Sequence, residues 1–226
     1  MSFAADPLPE EIARALPGRF VVFEGPDGSG KSTQLRRFVP ACSAAGVECV
    51  ETREPGGTRI GERIRGVLLE HSDEEMDVRC EMLLYMASRA QLVQRVIRPA
   101  LAARRFVLAD RFVSSTVAYQ GVAGGLGMEA IAAVGRVAIA GCEPDLVVIF
   151  DVDPDTAASR LSPLLDRMEA RGRAFHERVR EGYHAQAEAD LKRFAIIDAS
   201  RDEDAIYSDL LKTLAERLTP RDAPAP

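Results

Sequence analysis

Residues 20–33 read FVVFEGPDGSGKST, an apolar β-branched run that passes through three glycines into a lysine and two hydroxyl residues. Within it Gly25, Pro26, Asp27, Gly28, Ser29, Gly30, Lys31 and Ser32 satisfy GxxxxGK[ST]. The pattern also has the context it requires, a short apolar strand before it and a helical segment, 32–45, after it. Glycines let backbone N–H groups converge on phosphate oxygens, and the helix start adds its positive end. Lys31 adds a charge, and the Ser32 hydroxyl can ligate Mg²⁺. Residues 25–33 are therefore expected to hold a nucleoside triphosphate.

Outward from this loop, short apolar runs recur at 20–24, 47–52, 106–110, 146–151 and 194–198, each too short for a typical helix and rich in Val, Ile or Phe. Segments with helical spacing, such as 81–103 and 128–140, lie between them. The alternation predicts an α/β fold: a five-stranded parallel sheet covered by helices on both faces. Ligands in such folds gather beyond the carboxyl ends of the strands. Four of the five runs end in or next to an acid there, at Glu24, Asp110, Asp151 and Asp198.

The bulk composition narrows the class. A chain of 226 residues with 46% apolar content suits one domain. With 35 acidic and 29 basic side chains, a net charge of −6 argues against a nonspecific nucleic-acid partner. Four cysteines without a CxxC pair and three histidines suggest neither a zinc cage nor a disulfide framework. No run approaches the roughly 18 apolar residues of a membrane span, and the start, MSFAADPLPEE, lacks the features of a signal peptide. A cytoplasmic protein with no membrane partner is expected. The proline- and alanine-rich ends, 1–18 and 219–226, are expected to be poorly ordered, leaving a single domain over 19–218.

The loop is shared by switches, motors and small-molecule kinases. A guanine reader of the NKxD type is excluded, because the chain has no asparagine. Two further segments supply acceptor chemistry. TREPGGT, residues 52–58, places Arg53 at a strand end before a turn. DRFVSSTVAYQG, residues 110–121, sets the Asp110 carboxylate beside the Arg111 guanidinium. Taken singly these are as readily surface charges and a structural ion pair. Taken together, two planar forks at the sheet edge could clamp a second phosphate opposite the γ-phosphate. Tyr85 and Arg89, four apart on a predicted helix, share a face. The ring could stack on a base while the cation reaches a carbonyl at its edge; the plainer alternative is a core tyrosine with a solvated arginine.

The phosphate loop, TREPGGT, LLYMASRAQ, DRFVSSTVAYQG and DLVVIFDVDPDTAASR together resemble the thymidylate kinase family, in that order and over residues 20–218. The most specific element is DRFVSSTVAYQG, which is similar to the family's DRxxxSxxAYQG signature. The resemblance implies a P-loop NTPase fold with a short lid, and transfer of the γ-phosphoryl group of ATP to dTMP with Mg²⁺. It implies that residues 25–33 bind ATP and that Arg53 and Arg111 hold the dTMP phosphate. Tyr85 would stack on thymine, Arg89 would contact its O4, and Ser115 and Thr116 would lie near the base. Tyr119 would pack beneath the deoxyribose, and Asp27 would approach its 3′-OH. Ser32 would ligate the metal, and Asp110 would hold it, through water, or orient Arg111. The family resemblance also implies a homodimer.

One departure concerns the cations. Some members of this family carry an arginine in the phosphate loop where this chain has Gly28, so the lid, 159–173, is expected to supply it. Arg167 is the first choice because Asp166 and Arg167 match the family's lid DR pair, and Arg160 is the second. Phe175, Val179 and Tyr183 at four-residue steps read as core packing, with His176 and His184 exposed. The alternatives are a kinase for another deoxynucleoside monophosphate and a nucleotide-binding regulator without turnover.

Overall fold

The structure is a computed structural model that describes residues 7–70, 73–161 and 166–218. The middle of the expected lid, 162–165, and the expected tail, 219–226, lie outside the described residues. Five strands, β1 (Phe20–Glu24), β2 (Cys49–Arg53), β3 (Phe106–Asp110), β4 (Leu146–Asp151) and β5 (Phe194–Asp198), form one parallel sheet in the order β2-β3-β1-β4-β5. β1 lies at the centre, so the chain turns outward in opposite directions on its two sides. That is the switch point over which such sheets bind ligands.

The buried strands alternate between two cores, as a period of two requires. Val21, Phe23, Leu108 and Val148 face one. Phe20, Val22, Val107 and Ile149 face the other. Both faces are covered by helices, which is why these strands read as continuous apolar runs. β2 begins and ends later than the expected 47–52. It is an edge strand with mostly half-exposed or exposed residues, and its ladder with β3 runs from Cys49 to Arg53. There the apolar pattern does not mark the boundary, and strand pairing does.

The helices are α1 (Glu10–Ala15), α2 (Lys31–Ala44), α3 (Arg59–Leu69), α4 (Val78–Leu92), α5 (Arg98–Ala102), α6 (Val113–Thr116), α7 (Met128–Ile139), α8 (Pro154–Ser159), α9 (Arg173–Ala189) and α10 (Glu203–Leu218). The expected single helix over 81–103 is divided by a π-helical segment, Val93–Ile97. Pro99, which has no N–H to donate, lies in the first turn beyond it. The expected disorder of residues 1–18 is corrected for the described part. Leu8, Ile12 and Leu16 are buried in one core with Leu210 and Leu214 of α10. A short apolar stripe on this helix is stabilised by a partner far along the chain. No helix among the described residues is long and apolar enough to cross a membrane.

Candidate active site

A cleft of about 790 Å³ opens at the carboxyl end of the sheet. The phosphate loop forms its floor, because β1 ends at Glu24 and α2 begins at Lys31. Lys31 turns back over the loop, donating to the carbonyls of Gly25 and Pro26 at 2.9 Å each and to Ser29 Oγ at 3.2 Å. Burial, with Arg111 nearby, pushes its amine down to about 8. Ser32 is exposed to the cleft.

The backbone at Gly28 shows why this loop carries no side chain there. Its φ is +78°, and a Cβ there would stand 2.2 Å from the carbonyl oxygen of Ala157. The missing side chain lets α8 press against the loop. Arg160, the C-cap of α8, consequently lines the cleft, with its guanidinium donating to the carbonyls of Ala199 (2.8 Å) and Ser200 (3.3 Å).

The acceptor side comes from β2 and β3. Their register sets Arg53 opposite Asp110, and Phe23 beside it. Arg53 is steadied by Glu62 at 2.9 Å, whose other oxygen accepts the Gly57 N–H at 2.8 Å. Arg65, a cation the sequence reading passed over, also lines the cleft and donates to Pro55 O at 3.1 Å.

Arg111 adopts a left-handed backbone, φ +70°, rare for a residue with a Cβ. The turn aims its side chain across the top of β1. There it pairs with Asp27 and donates to Gly25 O (3.1 Å), Ser115 Oγ (3.0 Å) and Tyr183 Oη (3.1 Å). Tyr119 Oη donates to the other Asp27 oxygen at 2.8 Å. Burial alone would raise the Asp27 carboxyl, but Arg111, Lys31 and Tyr119 outweigh it and hold it low. The phosphate loop and the acceptor loop are thus joined by an ion pair.

Tyr85 lines the cleft, as do Ser115, Thr116 and Tyr119. Arg89 does not. It is buried, with Nε donating to Glu54 at 2.7 Å, Nη1 to Thr116 at 3.1 Å and Nη2 to Phe112 O at 2.8 Å. It supports the wall behind Thr116 instead of standing free beside Tyr85. Asp110 has one carboxylate oxygen buried without a hydrogen-bond partner. An orphaned acceptor at a phosphate site, with the Ser32 hydroxyl on the same cleft, is a donor set that fits a hard cation.

The lid arginines change places. Arg167 does not line the cleft, and its Nη1 meets Glu81 at 2.6 Å while Nε donates to Leu68 O at 2.8 Å. The reason is long-range: a buried carboxylate on α4 draws the lid's second half toward α3 and α4. Arg160 is the lid arginine that lines the cleft.

The profile of the thymidylate kinase family matches residues 23–210. A thymidylate kinase of Exiguobacterium sp. (strain ATCC BAA-1283 / AT1b) is 44% identical over 205 residues, covering 90% of this chain and 97% of the relative. One of Pelotomaculum thermopropionicum is 45% identical over 206 residues, 90% and 95% of the two chains. One of Solidesulfovibrio magneticus is 46% identical over 196 residues, 83% and 94%. The chain belongs to the thymidylate kinase family.

For a thymidylate kinase fold, the residues that sequence reasoning missed are the ones behind the contact surface. Glu24 is fully buried, accepting from the N–H groups of Phe112 (2.8 Å) and Ser115 (3.1 Å) and from the hydroxyls of Ser115 (2.6 Å) and Tyr183 (3.0 Å). Burial raises its carboxyl, against the pull of Arg111. Tyr183 is in the core as expected, but its hydroxyl belongs to this network. Its spacing on α9 shows the ring's face, and nothing local shows where the hydroxyl ends. His176 and His184 are half-buried, not exposed, with His184 Nε2 3.0 Å from Asp151. No group of three or more His, Cys, Asp or Glu side chains that could hold a metal occurs among the described residues.

Proposed function

We propose that this chain is an ATP-dependent thymidylate kinase that transfers the γ-phosphoryl group of ATP to dTMP, yielding ADP and dTDP. The observation that carries the reading is the Asp27–Arg111 pair, which joins a triphosphate loop to an arginine-lined acceptor pocket over β1. A dTMP phosphate oxygen attacks the γ-phosphorus as the bond to the β,γ-bridging oxygen breaks. The acceptor is already an anion near neutral pH, so no side chain has to remove a proton. Catalysis is then positioning and charge neutralisation.

In this reading Lys31 and the loop N–H groups hold the β- and γ-phosphates, while Arg53 and Arg111 hold the acceptor phosphate. Arg111 leaves Asp27 for the acceptor, and Asp27 turns to the sugar 3′-OH. Tyr85 stacks on the base, Thr116 and Ser115 meet its edge and surroundings, and Tyr119 lies under the deoxyribose. Arg89, held by Glu54, fixes Thr116 and reaches the base only by a side-chain rearrangement. Mg²⁺ would be held by Ser32 and, through water, by Asp110, and would supply charge neutralisation at the phosphates. Arg160 is the lid cation for the transferring group. The enzyme acts as a cytoplasmic homodimer on small molecules, and not on nucleic acid.

An ADP-release assay with ATP and Mg²⁺ and a panel of dTMP, dUMP, dCMP, dGMP and UMP tests this. Turnover should be fastest with dTMP. Preference for another base would remove the thymine assignment, and ATP binding without turnover of any acceptor would favour a regulator.

A further inference from the structure

Glu81 is fully buried and lies outside the donor and acceptor contacts described above. One of its oxygens accepts from Gln120 Nε2 at 2.7 Å. The other faces Arg167 Nη1 at 2.6 Å and Arg171 Nη2 at 3.4 Å. Arg171 also stacks on Phe175, 4.5 Å from the ring centroid, at the start of α9. The carboxylate therefore gathers three donors from two parts of the chain: the acceptor loop, which supplies Gln120, and the second part of the lid, 166–173, which supplies Arg167 and Arg171. It does so from α4, one turn before Tyr85. Gln120 and Tyr85 both line the cleft.

A buried carboxylate is stable only if paired, and a pair that draws on guanidinium groups from a separate segment fixes where that segment stands. We propose that Glu81 is a positioning residue for phosphoryl transfer: through Arg167 and Arg171 it anchors residues 166–171 to α4, and so sets where Asp166, Met168 and Glu169 stand in the wall of the cleft. The inference rests on the kinase reading above. It makes Gln120 of the acceptor wall and residues 166–171 one mechanical unit.

The test is Glu81→Gln, which keeps shape and removes charge, alongside Arg167→Gln and the double variant, all in the full chain. For Glu81→Gln, kcat should fall about 10²-fold, the scale of a misplaced catalytic group, with KM for ATP and dTMP little changed. Amide hydrogen exchange over 166–172 should quicken. The double variant should lose no more than the worse single one. Arg167→Gln, a change at a partly exposed side chain, should reproduce the loss if Glu81→Gln does not fold. A drop in Tm with kcat retained would reduce Glu81 to a packing residue and overturn the proposal, as would additive losses in the double variant. Unchanged exchange at 166–172 would overturn it whether or not the wild-type chain phosphorylates dTMP. Absence of dTMP turnover in the wild type would defeat only the kinase reading.

Discussion

The phosphate loop is a contiguous run whose backbone and one lysine meet the ligand, whereas the lid is located by contacts to parts of the chain far from it in sequence. Lys31 bonds to carbonyls only a few residues away. Arg167 is tied to Leu68 and Glu81, and Arg160 to Ala199 and Ser200. The difference teaches that a local motif names a donor site unaided. Which lid arginine lines the cleft is set by partners elsewhere in the chain, the buried Glu81 among them.

The largest effect is expected where the two regions meet. Arg160→Ala should lower kcat about 10³-fold, as loss of an arginine finger does, and Arg167→Ala should lower it less. Steady-state kinetics decide this; equal losses, or a greater one at Arg167, would erase the distinction between the two arginines. Next in size, Arg111→Gln should reduce kcat/KM for dTMP about 10²-fold, since it removes the link between the loops and a contact to the acceptor phosphate. A dTMP titration that matches wild type would break the acceptor assignment.

Lys31 sharpens the donor side through pH. Its amine is held down to about 8 in the free protein, below the ordinary 10.5. Between those values the unfolded chain binds the proton and the folded one does not. Stability of the free protein therefore gains from Lys31 as pH rises from 8 toward 10.5, and below 8 the buried ammonium is a full penalty. Bound phosphates favour the ammonium, so ATP binding must take up a proton above pH 8. The Kd for ATP should rise up to about tenfold per pH unit from 8 to 10, and calorimetry giving a flat profile would refute it. The smallest effect concerns the contact between the regions. Gly28→Ala, with φ +78° and the Ala157 carbonyl in the way, should cost about 1–3 kcal/mol. That corresponds to a loss of several degrees in Tm, at about 2–4 °C per kcal/mol for a chain of this size. An unchanged melting temperature would show that α8 does not rest on the loop.

β1, β3 and β4 coincide with the apolar runs that announced them, because both faces of the central sheet are buried and the run is uninterrupted; β5 coincides with 194–198 too, although it is an edge strand with a mostly half-exposed or exposed pattern. β2 is displaced because its ends are set by pairing with β3, from Cys49 to Arg53, and not by the apolar run. α1 was hidden for a related reason: Leu8, Ile12 and Leu16 mean little until α10 covers them. In the site, Arg53, Tyr85, Asp110, Arg111 and Tyr119 line the cleft named for them. Arg89 and Arg167 do not, since Glu54 and Glu81, carboxylates distant in sequence, hold their guanidinium groups.

From its residues alone the chain determined a phosphate loop, a parallel sheet around it and the family of its acceptor segment, because these depend on backbone freedom, strand periodicity and short-range spacing. Only the tertiary structure decided which lid arginine lines the cleft, where Arg89 points and what Glu24, Glu81 and Tyr183 hold. A buried charge takes its orientation from whichever opposite charge the fold brings to it, and that partner has no fixed distance along the sequence.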